Sequence, residues 1–128
     1  MKKDALILIV DDDPVAREIF GGTLKNAGCR VIEANNGHQC LVAAKESQPD
    51  LILLDVAMPI MDGMAALNEL KNNPATKNLK VAFLTNLSAA QQTKIEPKFA
   101  KEMGAVTVIS KDAGMDEFMK AVEELLPG

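Results

Sequence analysis

One histidine, two cysteines and no tryptophan or tyrosine in 128 residues remove most of the usual catalytic side chains. His38 is expected at the exposed start of a helix, where it completes no Ser/His/Asp or Cys/His set. Cys29 and Cys40 have neither zinc-motif spacing nor a CxxC pattern, so both are expected as unpaired core or near-surface fillers in a reducing compartment. There is no long apolar run. The first, over residues 5–10, stops at Asp11, Asp12 and Asp13 and is too short for a signal-peptide core or a membrane span. The net charge of -4 supplies no excess of basic residues, which argues against direct contact with nucleic acid or an anionic membrane. No repeat, low-complexity stretch or internal linker is present. A cytoplasmic location is the default expectation.

What is present is a globular composition. Apolar residues make up 48% and charged residues 25%, enough for one domain over residues 1–128 to bury a core without staples. Five short apolar runs, 6–10, 31–34, 51–54, 81–84 and 106–109, lack the alternation of half-exposed strands. They read as parallel strands covered on both faces. Between them lie helical spacings. Ala16, Phe20, Leu24 and Ala27 share a face after Pro14 and before Gly28. A helix over 38–47 follows the Asn36-Gly37 turn. Another starts near Gly63 and buries Met64, Leu67 and Leu70. The last carries Met115, Phe118, Met119, Val122 and Leu126 in one stripe, with Asp116 and Glu117 suiting its positive end. The fourth segment is irregular. Ser88 and Gln91 resemble a capping box, and Pro97 either kinks one helix or starts a second that buries Phe99 and Met103. Five strand–helix alternations indicate a doubly wound α/β domain with helices on both faces.

In such a sheet, ligands bind beyond the carboxyl ends of the strands. Asp11, Asp12 and Asp13 follow the first strand, Asp55 the third, Thr85 the fourth and Lys111 the fifth. Parallel strands gather these groups at one edge. Clustered carboxylates repel unless a hard cation such as Mg²⁺ sits among them, and a lysine and a hydroxyl beside it suit the oxygens of a phosphoryl group. Acids before a proline also suit a helix cap, and that is the role expected of Asp13.

Val10-Asp11-Asp12-Asp13-Pro14, the run from Asp50 to Asp55, Met58-Pro59-Ile60-Met61-Asp62-Gly63, Leu84-Thr85, Gly104-Ala105 and Ser110-Lys111 occur in this order. In these motifs the chain resembles the receiver domains of two-component response regulators, over nearly its whole length. The resemblance implies the flavodoxin-like strand order 2-1-3-4-5. It implies that Asp55 accepts phosphate from a sensor histidine kinase or a histidine phosphotransfer protein. It also implies that Asp11, Asp12, Asp55 and the backbone carbonyl of Ala57 hold Mg²⁺, and that Thr85 and Lys111 bind the phosphoryl oxygens. The implied output is a shifted protein-interaction face for a downstream target, and the family also admits a phosphorylation-dependent dimer. On this reading the chain is a signalling switch that catalyses only its own phosphorylation and dephosphorylation. No output domain is expected within residues 1–128, whether the receiver stands alone or is cut from a longer chain.

Three positions and the length of one segment depart from the family pattern. Asp112 follows Lys111 where a cis proline is usual; a cis bond without proline would cost about 2.5–4 kcal/mol. Val108 replaces the aromatic residue often found in the fifth strand. Asn86 follows Thr85 where a very small residue is common, and the segment 86–103 is about four residues longer than usual. Ala57 and Leu87, two residues after Asp55 and Thr85, are apolar and cannot orient an attacking water, so slow loss of phosphate is expected. Ala57 also argues against a Mg²⁺-dependent phosphohydrolase, which needs a second acid near the nucleophile. The three aspartates disfavour a flavodoxin-like nucleotide or flavin site, which needs a phosphate loop. A receiver-like interaction module that is never phosphorylated is the remaining alternative.

Overall fold

Strands apolar at every position, such as 6–10 and 51–54, need cover on both faces, and the computed structural model, which describes residues 1–58, 61–86 and 97–128, has that arrangement. Strands β1 (Leu6–Val10), β2 (Arg30–Ala34), β3 (Leu51–Leu54), β4 (Val81–Thr85) and β5 (Val108–Ser110) form one parallel sheet in the order β2-β1-β3-β4-β5. Helices α1 (Pro14–Asn26), α2 (Gly37–Ser47), α3 (Gly63–Lys71), α4 (Pro97–Met103) and α5 (Met115–Leu125) alternate with the strands.

The strands feed two apolar layers. Leu8, Val10, Ile52, Leu54, Val81 and Phe83 point to one face, against Cys40, Ala44, Leu67, Leu70 and Ala100 from α2, α3 and α4. Ile7, Ile9, Leu51, Leu53, Ala82 and Leu84 point to the other, against Phe20 and Leu24 of α1 and Phe118 and Val122 of α5. There the Phe20 and Phe118 rings lie 4.8 Å apart, tying α1 to α5. The fold is the expected doubly wound α/β sheet, and its strand order reverses direction between β1 and β3.

Each of the first three helices starts on a side chain that caps it. Asp13, Asn36 and Asp62 accept hydrogen bonds from the amides of Val15, Gln39 and Ala65. Such caps satisfy amides that a helix start leaves open. Gly28, at φ +92°, turns the chain out of α1 in a conformation that disfavours a side chain. Both cysteines are buried and free, and burial pushes the Cys40 thiol to about 12.

Several expected boundaries shift. Ala27 is the exposed cap of α1 rather than part of its buried face. Strand β5 begins at Val108 instead of residue 106, because the chain is still leaving a turn at Gly104, whose φ is +108°. Val106 already donates a hydrogen bond to the Val81 carbonyl before the strand proper starts. A helix does begin at Pro97, but a seven-residue helix turns only a narrow stripe inward: Ala100 is buried, Met103 half-buried and Phe99 42% exposed. Met64 is likewise only half-buried, with Ala66 inside instead. The Ser88–Gln91 cap, Leu87, and Pro59-Ile60 lie outside the described residues. No described peptide bond is cis, so Lys111–Asp112 is trans. No helix among the described residues is long and apolar enough to cross a membrane.

Candidate functional site

Because β1 and β3 are neighbours, the residues that leave their carboxyl ends meet. Asp11 and Asp55 are buried and Asp12 is exposed, yet one carboxylate oxygen from each lies within 4.8 Å of the others. Lys111 enters from the end of β5. Its Nζ donates to Asp11 Oδ2 at 2.5 Å and stands 3.6 Å from Asp55 Oδ2. The other oxygen of Asp11 accepts from the Asp13 amide at 2.9 Å. Thr85, the last residue of β4, is 1% exposed, and its Oγ1 has no hydrogen-bond partner among the described residues. The hydroxyl lies near enough to the Asp55 carboxylate to favour its charged form, but outside the geometry of a formed hydrogen bond. The structure thus brings together Asp11, Asp12, Asp55, Thr85 and Lys111.

Burial governs the electrostatics. It pushes the Asp55 carboxyl up, to about 6, and the charge of Asp11 adds to the rise. The Lys111 charge, hydrogen bonding by the Ala57 amide and the nearby Thr85 hydroxyl pull the other way without cancelling it. Burial alone would lower Lys111, but its hydrogen bond to Asp11 and the charges of Asp55 and Asp11 outweigh that and raise it. Lys111 therefore stays charged at neutral pH, held between two buried carboxylates.

Three carboxylates and one ammonium leave the cluster with surplus negative charge, and every ligand atom it offers is a hard oxygen. That donor set fits Mg²⁺, which takes oxygen ligands and keeps some of its waters. A buried hydroxyl without a partner beside it is unusual and costs about 1–3 kcal/mol. An incoming oxygen-rich group on Asp55 would supply that partner.

The loop after β3 is shaped by close backbone packing. A Cβ on Gly63 would lie 2.1 Å from the Asp55 carbonyl oxygen and 2.9 Å from the Val56 Cα, so only glycine fits. Gly63 also donates its amide to the Val56 carbonyl at 2.9 Å, folding the start of α3 back onto the residue next to Asp55. From the sequence, Gly63 reads only as turn chemistry at the rim.

Sequence reasoning also passes over Arg17 and Glu33. Arg17 Nη1 donates to the Asp11 carbonyl at 2.6 Å and Nε to Glu33 Oε1 at 3.0 Å. The signal for Arg17 was a basic side chain in the first turn of a helix, where the dipole disfavours it. Glu33, on an exposed position of β2, gave none. Asp13 caps α1 as expected, and His38 is exposed in the first turn of α2.

Comparison with known proteins agrees with this fold. The family model described as the response regulator receiver domain matches residues 7–123. The chain belongs to this family. The sporulation initiation phosphotransferase F of Bacillus subtilis is 34% identical over 94% of this chain and 93% of its own length. The gliding motility regulatory protein of Myxococcus xanthus is 32% identical over 93% of this chain, which spans only 15% of that protein. Among solved structures, the response regulator TrrA of Thermotoga maritima, in complex with Mg²⁺-BeF, is 28% identical with a TM-score of 0.80, covering 95% of this chain and 99% of that one. Receiver domains of this family act as phosphoryl-accepting switches in two-component signalling.

Proposed function

We propose that this receiver is switched by phosphorylation of Asp55, with Asp11, Asp12, Asp55 and the Ala57 carbonyl holding Mg²⁺ and with Thr85 and Lys111 receiving the phosphoryl oxygens. The observation that carries the reading is the meeting of two buried carboxylates, a lysine in contact with both and a buried hydroxyl with no partner. A related response regulator, TrrA, is solved in complex with Mg²⁺-BeF, which supports a divalent ion here; it would neutralise charge between carboxylate and phosphate.

Above about pH 6 Asp55 is ionised and nucleophilic. One of its oxygens forms the new bond to phosphorus as the P–N bond of a donor phosphohistidine breaks, and that electron pair returns to the imidazole nitrogen. Positioning and charge neutralisation do most of the work in such a transfer. Lys111, already 3.6 Å from the carboxylate, neutralises the arriving charge. Thr85 donates its hydroxyl to a phosphoryl oxygen. The acyl phosphate carries close to two negative charges where the ionised carboxylate carried one, and the movement of Thr85 and Lys111 toward it biases two conformations of the β4 and β5 ends. The donor is a histidine kinase or a histidine phosphotransfer protein, and the readout is a protein target.

Incubation with acetyl phosphate and Mg²⁺ followed by intact mass tests the reading. One phosphoryl adduct is expected, absent in Asp55→Ala. No adduct with or without metal would favour an interaction module that is not phosphorylated.

A further inference from the structure

Arg17 sits where its own helix does not favour it. A cation in the first turn of α1 opposes the helix dipole, and no acidic residue in that turn offsets it. The side chain is nevertheless held firmly, only 17% exposed, between two acceptors on different elements. Its Nη1 reaches the carbonyl oxygen of Asp11 at 2.6 Å, and its Nε reaches Glu33 Oε1 on β2 at 3.0 Å.

The Asp11 carbonyl belongs to the peptide unit that joins Asp11 to Asp12. The preceding peptide unit is fixed by the Asp11 amide, which donates to the Ala34 carbonyl at 3.1 Å. The Asp11 side chain is fixed by Asp13 and Lys111. Asp12 differs. Its carboxylate is exposed and has no hydrogen bond or ion pair among the described residues, yet it lies within 4.8 Å of its two buried neighbours. Its place therefore depends on the two peptide units that flank it: the Asp12–Asp13 unit, whose amide bonds Asp11 Oδ1, and the Asp11–Asp12 unit, whose carbonyl is held by the Arg17 guanidinium.

We propose that Arg17, oriented by Glu33, is the positioning residue that fixes the Asp11–Asp12 peptide plane and so places the Asp12 carboxylate for a divalent cation. The inference rests on the metal reading above and extends it to the Glu33 side chain of β2. It also runs against the simplest electrostatic expectation. A positive charge beside a cation site should weaken binding, so removing Arg17 should tighten it if charge were all that mattered.

Calorimetric titration of the metal-free protein with MgCl₂ separates these cases. Wild type is expected to bind, and Asp11→Asn to bind far more weakly. Arg17→Met should bind about tenfold more weakly than wild type, the low end of the scale usual for groups that orient metal ligands, and Glu33→Gln, one step further from the metal, more weakly than wild type but by less. Arg17→Lys keeps the charge but cannot span both acceptors, so it should stay close to Arg17→Met. In metal-free protein, the Asp12 and Asp13 amide resonances should move in Arg17→Met and less in Glu33→Gln, while resonances of the α5 core stay in place.

Unchanged or tighter Mg²⁺ binding by Arg17→Met overturns the proposal, as does full rescue by Arg17→Lys. Weaker binding together with resonance changes throughout the core would assign Arg17 to the fold alone and overturn it too; should Arg17→Met not fold, the Glu33→Gln affinity and amide shifts decide. Wild type that binds no Mg²⁺ sensitively to Asp11→Asn would instead remove the metal reading itself.

Discussion

At the ends of β1 and β3, the groups that carry the buried acids are tied down on every side. Asp11 has partners for both carboxylate oxygens, its amide and its carbonyl, and Asp55 rests on a loop that Gly63 closes. At the ends of β4 and β5 the arrangement is different. Thr85 Oγ1 is buried without a partner, and Lys111 bonds Asp11 more closely than Asp55. On one side the buried acids are already held in place; the other has bonding capacity that a phosphoryl group on Asp55 would use. On the proposed reading, the rigid acid side holds the acceptor for capture, Lys111 neutralises the arriving charge, and the less satisfied Thr85 hydroxyl carries the response.

The strongest way to break this comparison is at Lys111. Replacing Lys111 by Met should slow phosphoryl uptake from acetyl phosphate about 100-fold or more, read as the rate of mass gain. A rate near wild type would place charge neutralisation elsewhere.

The next test concerns the cost of holding Asp55 ionised. Its folded value of about 6 lies above the unfolded value near 3.8. Ionisation is thus harder in the fold. The penalty is absent below about pH 4, grows as pH rises to about 6 and is complete above that. In metal-free buffer at pH 8, Asp55→Asn should therefore be more stable than wild type by roughly 2–3 kcal/mol, and the gain should vanish near pH 3. Denaturant unfolding at the two pH values measures it. A destabilised variant at pH 8 would show that Asp55 contributes to the fold rather than straining it.

A smaller effect is expected in phosphate lifetime. Ala57 offers no side chain to orient water on Asp55 phosphate, and Leu87 is likewise apolar. Ala57→Asn or Leu87→Glu should speed loss of the adduct about tenfold, on the scale of one added polar catalytic contact; an unchanged decay would count against water orientation as the control. The smallest is Thr85→Val. Losing an unpartnered buried hydroxyl should leave the unphosphorylated protein as stable as wild type or up to about 1 kcal/mol more so. Phosphoryl uptake should persist while the shift of β4-end resonances on phosphorylation shrinks.

The sequence made the sheet and the identities at its edge legible for a physical reason. Strands buried on both faces are apolar throughout, and carboxylates at the ends of parallel strands must converge. Ile7, Leu8, Leu51 and Ile52 announce the sheet; Asp11 and Asp55 announce the edge. Contacts made across space left weaker marks. The fit of Gly63 against the Asp55 carbonyl depends on how the loop after β3 folds back. The Glu33–Arg17–Asp11 chain depends on the register of β2 against β1. Phe99 shows the limit of helical periodicity, since a seven-residue helix is too short for spacing alone to say which face turns inward.

Chemical trapping of the phosphorylated side chain tests the central claim most directly. After treatment with acetyl phosphate and Mg²⁺, borohydride reduction converts an aspartyl phosphate to homoserine, and peptide mass spectrometry locates it. The account predicts homoserine at residue 55 alone, and none without phosphorylation. Homoserine at Asp11 or Asp12, or a phosphoryl adduct that yields no homoserine at all, would contradict it.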